Sequence, residues 1–272
     1  MKSFKLVVSC LALMISTFGI GKVKEVVGTG HQGGQGSKGK ILMIAANPSV
    51  SKQTGWPIGV WAAELTHPYH EFTSAGYSVD LASPKGGKIE FDGYSDPRHE
   101  SGYSKADLLS MGFISTPSLI NLLKKTKKLS NVKAKEYSAI FLVGGQSPMY
   151  TFRGNEELMK FVAKFYESGK PTALVCHATS ILLDTKLSSG KLLVKGKTWT
   201  GFADAEEKYA DKAVGRKIQP FWIESEARKI KGTTFKVAEP FTSYAIQDGN
   251  LITGQQQVSG AAAAKLVIEA LK

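Results

Sequence analysis

The stretch "PTALVCHATSILLD" at 171–184 sets Cys176 directly against His177, where an apolar run ends and small residues begin. A thiol beside an imidazole can be a nucleophile with its base, a redox-sensitive sulfur, or a buried apolar side chain, the commonest fate of a lone cysteine. The chain has two cysteines, and the other, Cys10, lies near the start. A strand, then a cysteine, then a helix opening on small residues is the layout of a nucleophile elbow. The tight turn lifts the side chain above the sheet, the helix N-terminus favours its thiolate, and the N–H groups just after it can stabilise an oxyanion. Sequential neighbours on a turn need not face one another, so proximity alone does not pair Cys176 with His177. His67 and His70, in "ELTHPYH", are three apart, and one helical face could present both to a metal. No further Cys/His cluster accompanies them, so helix packing is the expectation there and no metal or cofactor is predicted. His31 and His99 suggest no role.

These residues need a scaffold, and the hydrophobic pattern supplies one. "KILMIAAN", from Lys40, is a short continuous apolar run of the kind buried on both faces of a parallel sheet. "VWAAELTHPYHEFTSAG" follows with Val60, Leu65 and Phe72 at helical spacing, closed by Gly76. "YSVDLASP" reads as a strand, "TPSLINLLKKTKKL" as an amphipathic helix with Pro117 near its start, and "YSAIFLVGG" as a strand. "NEELMKFVAKFYESG" reads as a helix with acids in its first turn and Gly169 at its end, "KPTALVC" as a strand and "HATSILLDT" as a helix. This alternation predicts right-handed βαβ units and a single, mostly parallel α/β domain over 40–272. Sites in such sheets form at the carboxyl ends of strands, where Cys176 and Gly144-Gly145 fall. Residues 86–116, rich in Gly, Asp, Ser and Tyr, read as an insertion over the edge of the site.

The net charge of +12 raises nucleic acid or an anionic membrane surface as partners. The lysines are spread along the chain, "KKTKK" at 124–128 being the densest cluster, and no nucleic-acid motif accompanies them. A solvated basic surface is the expectation, with no nucleic-acid partner. Residues 1–21 begin with Lys2 and Lys5 and continue as an apolar run from Leu6 to about Ile20, the n- and h-regions of a secretory signal. The run is short for a membrane span, which takes roughly 20 apolar residues. No clean cleavage site follows, so an uncleaved anchor stays open, and "VVSC" faintly resembles a lipoprotein box around Cys10. Export, to the periplasm or outside the cell, is the favoured reading, with membrane attachment only if this segment is retained. Residues 22–39 read as a Gly-rich tether. Removal of the signal leaves Cys176 as the only thiol, without an intrachain disulfide partner.

Five stretches add a resemblance. "TGWPIGVWAAELTHPYHEFTSAGYSVDLASPKGG", "AIFLVGGQSPMYTF", "GKPTALVCHATSILL", "TGFADAEE" and "LITGQQQVSGAAAAKLVIEAL" stand in the order found in the ThiJ/PfpI superfamily, and the first resembles its chaperone and glutathione-independent glyoxalase branch. The likeness runs from about Lys40 to Leu271. It implies a class I glutamine amidotransferase-like, flavodoxin-like three-layer sandwich and a homodimer. It also implies roles: Cys176 as nucleophile, His177 as its partner, Glu64 as the acid that approaches the sulfur, and Glu207 as the acid that orients the histidine. Asp204 and Glu206 stand close enough to be mistaken for Glu207. Gly145 and the His177 backbone would supply oxyanion N–H groups.

Three stretches depart from the family pattern. Ala178 and Thr179 replace the usual glycine and following proline, "GGQS" replaces "GGHG", placing Gln146 and Ser147, and "QQ" replaces "NP" near the last strand. Ala178 adds a methyl that narrows the site and disfavours positive φ, and Gln146 removes a histidine contact to substrate. The resemblance implies a cofactor-free, cysteine-dependent enzyme acting on small reactive carbonyls, with methylglyoxal to lactate as the type reaction. A carboxylic acid beside a thiolate suits the proton shuttling that this isomerisation requires. A holding chaperone, for which the cysteine is optional, and a thiol sensor oxidised at Cys176 are the alternatives.

Overall fold

The computed structural model describes residues 37–272. The signal-like segment, Cys10, His31 and the tether up to Gly36 lie outside the described residues. Seven strands form the central sheet: β1 (Lys40–Ile44), β2 (Ser78–Ser83), β3 (Lys127–Lys128), β4 (Ala139–Leu142), β5 (Thr172–Val175), β6 (Ala245–Asp248) and β7 (Leu251–Gly254). Their spatial order is β6-β7-β5-β4-β1-β2-β3. Every neighbouring pair is parallel except the β6–β7 hairpin at one edge. Ile41 pairs with Val79 on one side and Ala139 on the other, which puts β1 inside the sheet, next to the central strand β4. Ile41–Ile44, Ala139–Leu142 and Ala173–Val175 are all fully buried, as unbroken apolar runs must be when both faces of a sheet are covered. The architecture is the expected flavodoxin-like α/β sandwich.

The principal helices are α1 (Ala62–Ser74), α2 (Leu108–Ser115), α3 (Glu156–Glu167), α4 (Asp204–Val214) and α5 (Gly260–Ala270). α1 packs on α5, where Gly260 lets the two backbones approach: a Cβ there would lie 3.2 Å from the Pro68 ring. The first N–H groups of α1 find no cap in Trp61. Ser95 supplies one instead, its Oγ accepting from Ala62 N at 3.0 Å. The insertion over 86–116 thus holds the start of the helix that carries Glu64. α2 also lies in that insertion, capped by Asp107, which accepts from Ser110 N at 3.0 Å.

Two elements differ from the sequence expectation. The helix anticipated over "TPSLINLLKKTKKL" stops early, as α-turn Pro117–Ile120 and 3-10 turn Asn121–Leu123, and its last two lysines, Lys127 and Lys128, become edge strand β3. Lys127 pairs with Ala82 along the backbone and its Nζ lies 2.6 Å from Asp80 Oδ2, so the sheet edge wins over helical spacing and the charged side chains protect that edge. The segment after β5 is a 3-10 helix, Cys176–Leu183, rather than an α-helix. Thr179 Oγ1 donates to the Cys176 carbonyl at 2.7 Å, taking the acceptor that an α-turn would use. Among the described residues no helix is long and apolar enough to cross a membrane.

Candidate active site

Cys176 follows the last residue of β5 and adopts φ 56, a left-handed conformation that a residue with a β-carbon takes only under constraint. The bend turns its side chain into a cavity at the carboxyl ends of the strands, where it is 3% exposed. The N–H groups of His177 and Gly145, those anticipated as oxyanion donors, both face the sulfur. Burial and the neighbouring Glu64 nevertheless push the thiol well above its usual pKa. This corrects the expectation that a helix N-terminus would favour the thiolate: the eight-residue 3-10 turn and two N–H groups do not offset the lost solvation.

His177 does face its neighbour. Its Nδ1 lies 3.4 Å from Cys176 Sγ, and its Nε2 lies 3.1 Å from Glu207 Oε1. The ring also stacks on Phe202, with centroids 4.3 Å apart, which fixes its plane. A proton on Nε2 donated to Glu207 leaves Nδ1 free to accept from the thiol. Glu207 is buried, and that burial raises its pKa while His177 opposes the rise.

The neighbouring acids have other partners. Glu206 accepts from the backbone N–H groups of Ala203 and Phe241 and from Gln255 Nε2, and Asp204 accepts from Ser225. Of the three acids, Glu207 is the one in contact with the imidazole.

Glu64 reaches the sulfur from α1. It is fully buried, and neither carboxylate oxygen has a well-aligned hydrogen-bond partner; the Cys176 thiol and the Gly144 N–H are the polar groups that face it. Burial raises its pKa to about 8, with Asp92 and Glu206 adding to the effect and the thiol and the N–H opposing it. Gly144 is needed for this approach: a Cβ there would strike Glu64 Oε2 and lie 2.6 Å from the Val175 carbonyl. Gly145, at φ 109, passes so close to the chain entering α1 that a Cβ would lie 2.6 Å from the Val60 backbone.

Asp92, in the insertion, carries no motif or spacing that marks it in the sequence. It is buried, and its two oxygens accept from Gly59 N and Gln146 N, each at 2.8 Å. It therefore ties the start of α1 to the loop that presents Gly145. Burial raises its pKa to about 6, against the pull of those two N–H groups and of His177.

Gln146 lines the cavity with its side-chain oxygen unpartnered. Ala178, expected beside the substrate, is instead fully buried in the core, away from the cavity lining, and it does not take positive φ. His67 is paired with Asp107 at 2.9 Å, and among the described residues no group of three or more His, Cys, Asp or Glu converges as metal ligands.

The cavity measures about 220 Å³. Its floor is Cys176, His177, Glu64 and Glu207, and its walls include Trp56, Trp61, Tyr94, Tyr103, Phe202, Tyr209 and Phe241. One wall is α4, where Glu207, Ala210 and Val214 recur at helical spacing. The aromatic walls come from the segment leading into α1, from the insertion and from segments between β5 and β6. These are stretches without strong periodicity, so the sequence carries little signal for them.

A model of the DJ-1/PfpI family matches residues 58–270. The glutathione-independent glyoxalase HSP31 of Saccharomyces cerevisiae is 29% identical over 238 residues, which span 85% of this chain and 97% of that protein. Glyoxalase 3 of Candida albicans is 29% identical over 238 residues, 85% of this chain and 98% of its own. Among solved structures, the Rapid Encystment Protein 24 KDa of Francisella tularensis aligns with a TM-score of 0.76 at 28% identity, covering 86% of this chain and 99% of that one. Glyoxalase III of Candida albicans aligns with a TM-score of 0.72 at 25% identity, covering 87% and 99%. The sheet order, the bend at Cys176 and these likenesses agree, and the chain belongs to the DJ-1/PfpI family.

Proposed function

We propose that this protein converts 2-oxoaldehydes to 2-hydroxy acids without glutathione, methylglyoxal to lactate being the simplest case. One observation carries the reading: a single cysteine sulfur at the floor of a cavity, with the His177–Glu207 pair on one side and a protonatable Glu64 on the other. The names of the similar proteins, glutathione-independent glyoxalases, support it.

In this reading Cys176 is the nucleophile of an elbow and its sulfur adds to the aldehyde carbon, its proton passing to His177 Nδ1. The N–H groups of Gly145 and His177, which face the sulfur, receive the new oxyanion in this reading. Glu64, acting from the deprotonated fraction that a pKa of about 8 leaves near neutral pH, removes the proton from the former aldehyde carbon and returns it to the adjacent carbonyl carbon, while His177 passes the thiol's proton to that carbon's oxygen and becomes neutral again. The result is a 2-hydroxy thioester. Water, deprotonated by His177, cleaves it to the 2-hydroxy acid and restores the thiol. The net reaction consumes one water and no redox partner.

The test is glutathione-free consumption of methylglyoxal by the purified chain, with lactate measured directly and Cys176→Ala assayed alongside. Turnover that drops to background in the variant is the expected result; a folded wild type that forms no lactate sinks the proposal. The buried, raised thiol counts against a redox sensor, because oxidation follows thiolate character and exposure. Export is proposed from Lys2, Lys5 and the apolar run that follows them, and the amino-terminal sequence of protein recovered from cell fractions decides it.

A further inference from the structure

A three-carbon aldehyde is small for a cavity of about 220 Å³ whose lining is mostly apolar and aromatic. Methylglyoxal has five non-hydrogen atoms, and its one methyl group gives the aromatic walls little to contact. Two features of the walls point to a larger substrate. One is Phe241, which borders the cavity at φ 59, the second left-handed residue with a β-carbon among those described. The other is Gln219, 2% exposed on the cavity wall with its side-chain oxygen buried and unpartnered.

The position of Phe241 is actively held. Glu206 Oε1 accepts from Phe241 N at 2.8 Å and from Gln255 Nε2 at 3.0 Å. Gln255 Oε1 in turn accepts from Ala238 N at 2.8 Å, and Gln256 Nε2 donates to the Thr242 carbonyl at 2.7 Å. Both glutamines lie in "TGQQQVS", the stretch in which this chain departs from the "NP" of the family-like pattern. A buried carboxylate and two buried glutamines thus pin the 238–242 loop, and Tyr209 braces the ring edge-on at 5.1 Å. Strain maintained this way at a site wall marks a residue whose side chain has work there rather than in the core. An unpartnered buried amide oxygen is costly to a protein, and one on a cavity wall can be satisfied by a donor on a ligand or by water.

We infer that the preferred substrates are 2-oxoaldehydes whose substituent is an aromatic ring bearing a hydroxyl, the ring lying against Phe241 and its neighbours and the hydroxyl donating to Gln219. This rests on the proposed reaction and names its substrate class. The chemistry of the walls favours such a group twice over. Aromatic rings meet edge-to-face or offset with gains beyond buried area, and a site built to pair with a hydroxyl discriminates against substrates that lack it.

The experiment compares kcat/KM of the full chain for methylglyoxal, phenylglyoxal and 4-hydroxyphenylglyoxal, and repeats it with Phe241→Ala and Gln219→Leu. The expected order rises through the three, with about tenfold at each step. Phe241→Ala should shrink the aryl-to-methyl ratio, Phe241→Tyr should restore it, and Gln219→Leu should close the gap between the two arylglyoxals. Any other order, or ratios that the variants leave unmoved, overturns the inference. Calorimetric binding of acetone, acetophenone and 4-hydroxyacetophenone to the wild type separates it from the reaction itself. Absent turnover with the same ranking of ketones removes the reaction and keeps the site, whereas turnover with unranked ketones removes the site and keeps the reaction.

Discussion

Glu64 and Cys176 face one another at the cavity floor, one from the first turn of α1 and the other from the bend after β5, both shut away from solvent. Burial raises both groups, and Glu64 adds to the rise of the thiol while the thiol only partly opposes that of the carboxyl, so the resting pair holds its protons, and activation falls to His177. The carboxyl has a pKa of about 8 folded against an ordinary 4.5, so the folded chain binds more protons than the unfolded chain between those values. The stability from this difference is fully present below the unfolded value and is lost as pH rises through the folded one. Glu64→Gln should therefore flatten the fall in melting temperature between pH 5 and 9, leaving the variant more stable than wild type at the upper end by several kcal/mol, order of magnitude. The same variant should lose about 10²- to 10⁴-fold in kcat/KM, the range for a general acid–base. Parallel melting curves for the two proteins across that range would falsify the protonated pair.

Glu207 touches the imidazole that touches the sulfur. Glu207→Gln keeps the size and a hydrogen bond, but its amide can donate to Nε2 and stabilise the tautomer with the proton on Nδ1, facing the thiol. Activity should fall by about 10²- to 10⁴-fold with little change in melting temperature. Glu206→Gln should behave differently, because Glu206 accepts three backbone or amide donors and none from His177. Its loss should appear first in thermal stability, and equal effects of the two substitutions on turnover would remove the assignment.

The parts of this site that the sequence displays are those with local signatures. Unbroken apolar runs mark β1, β4 and β5, and Cys176 stands at the carboxyl end of β5, where parallel sheets form their sites. Glu64 is conspicuous as a charge in the apolar stretch "VWAAEL". Asp92 has no such mark, because its role comes from two N–H groups, at Gly59 and Gln146, far from it in sequence. The lysines at 127–128 mislead for a related reason: their helical spacing is local, but Asp80 and the open edge of β2 decide their conformation. Ala178 misleads through its neighbour, since adjacency to His177 does not bring its methyl to the cavity. Phe241 is illegible because nothing in "EPFTSY" signals positive φ.

Asp92 offers a test of how the oxyanion loop is held. Asp92→Asn replaces one acceptor oxygen with an amide group that would point donors at a backbone N–H, at Gly59 or at Gln146. A buried unsatisfied donor costs about 1–3 kcal/mol, so the melting temperature should fall accordingly. Turnover should fall as well, through displacement of Gly145, which adjoins Gln146 and whose N–H faces the sulfur. A variant that melts earlier yet keeps full kcat would restrict Asp92 to a structural role.

Phe241 makes stability and selectivity separable. Its left-handed backbone costs a residue with a β-carbon about 1–2 kcal/mol, and a glycine escapes that cost while giving up about 0.5–1 kcal/mol in chain entropy. Phe241→Gly and Phe241→Ala both remove the ring and its contact with Tyr209, so the backbone term is what distinguishes them. The glycine variant should be the more stable of the two by about 0.5–1 kcal/mol in denaturant unfolding, while both lose selectivity for aromatic substituents alike. An alanine variant as stable as the glycine one would mean that the loop relaxes out of the left-handed region once the ring is gone. The hydrogen bond from Phe241 N to Glu206 would then follow the ring rather than hold it.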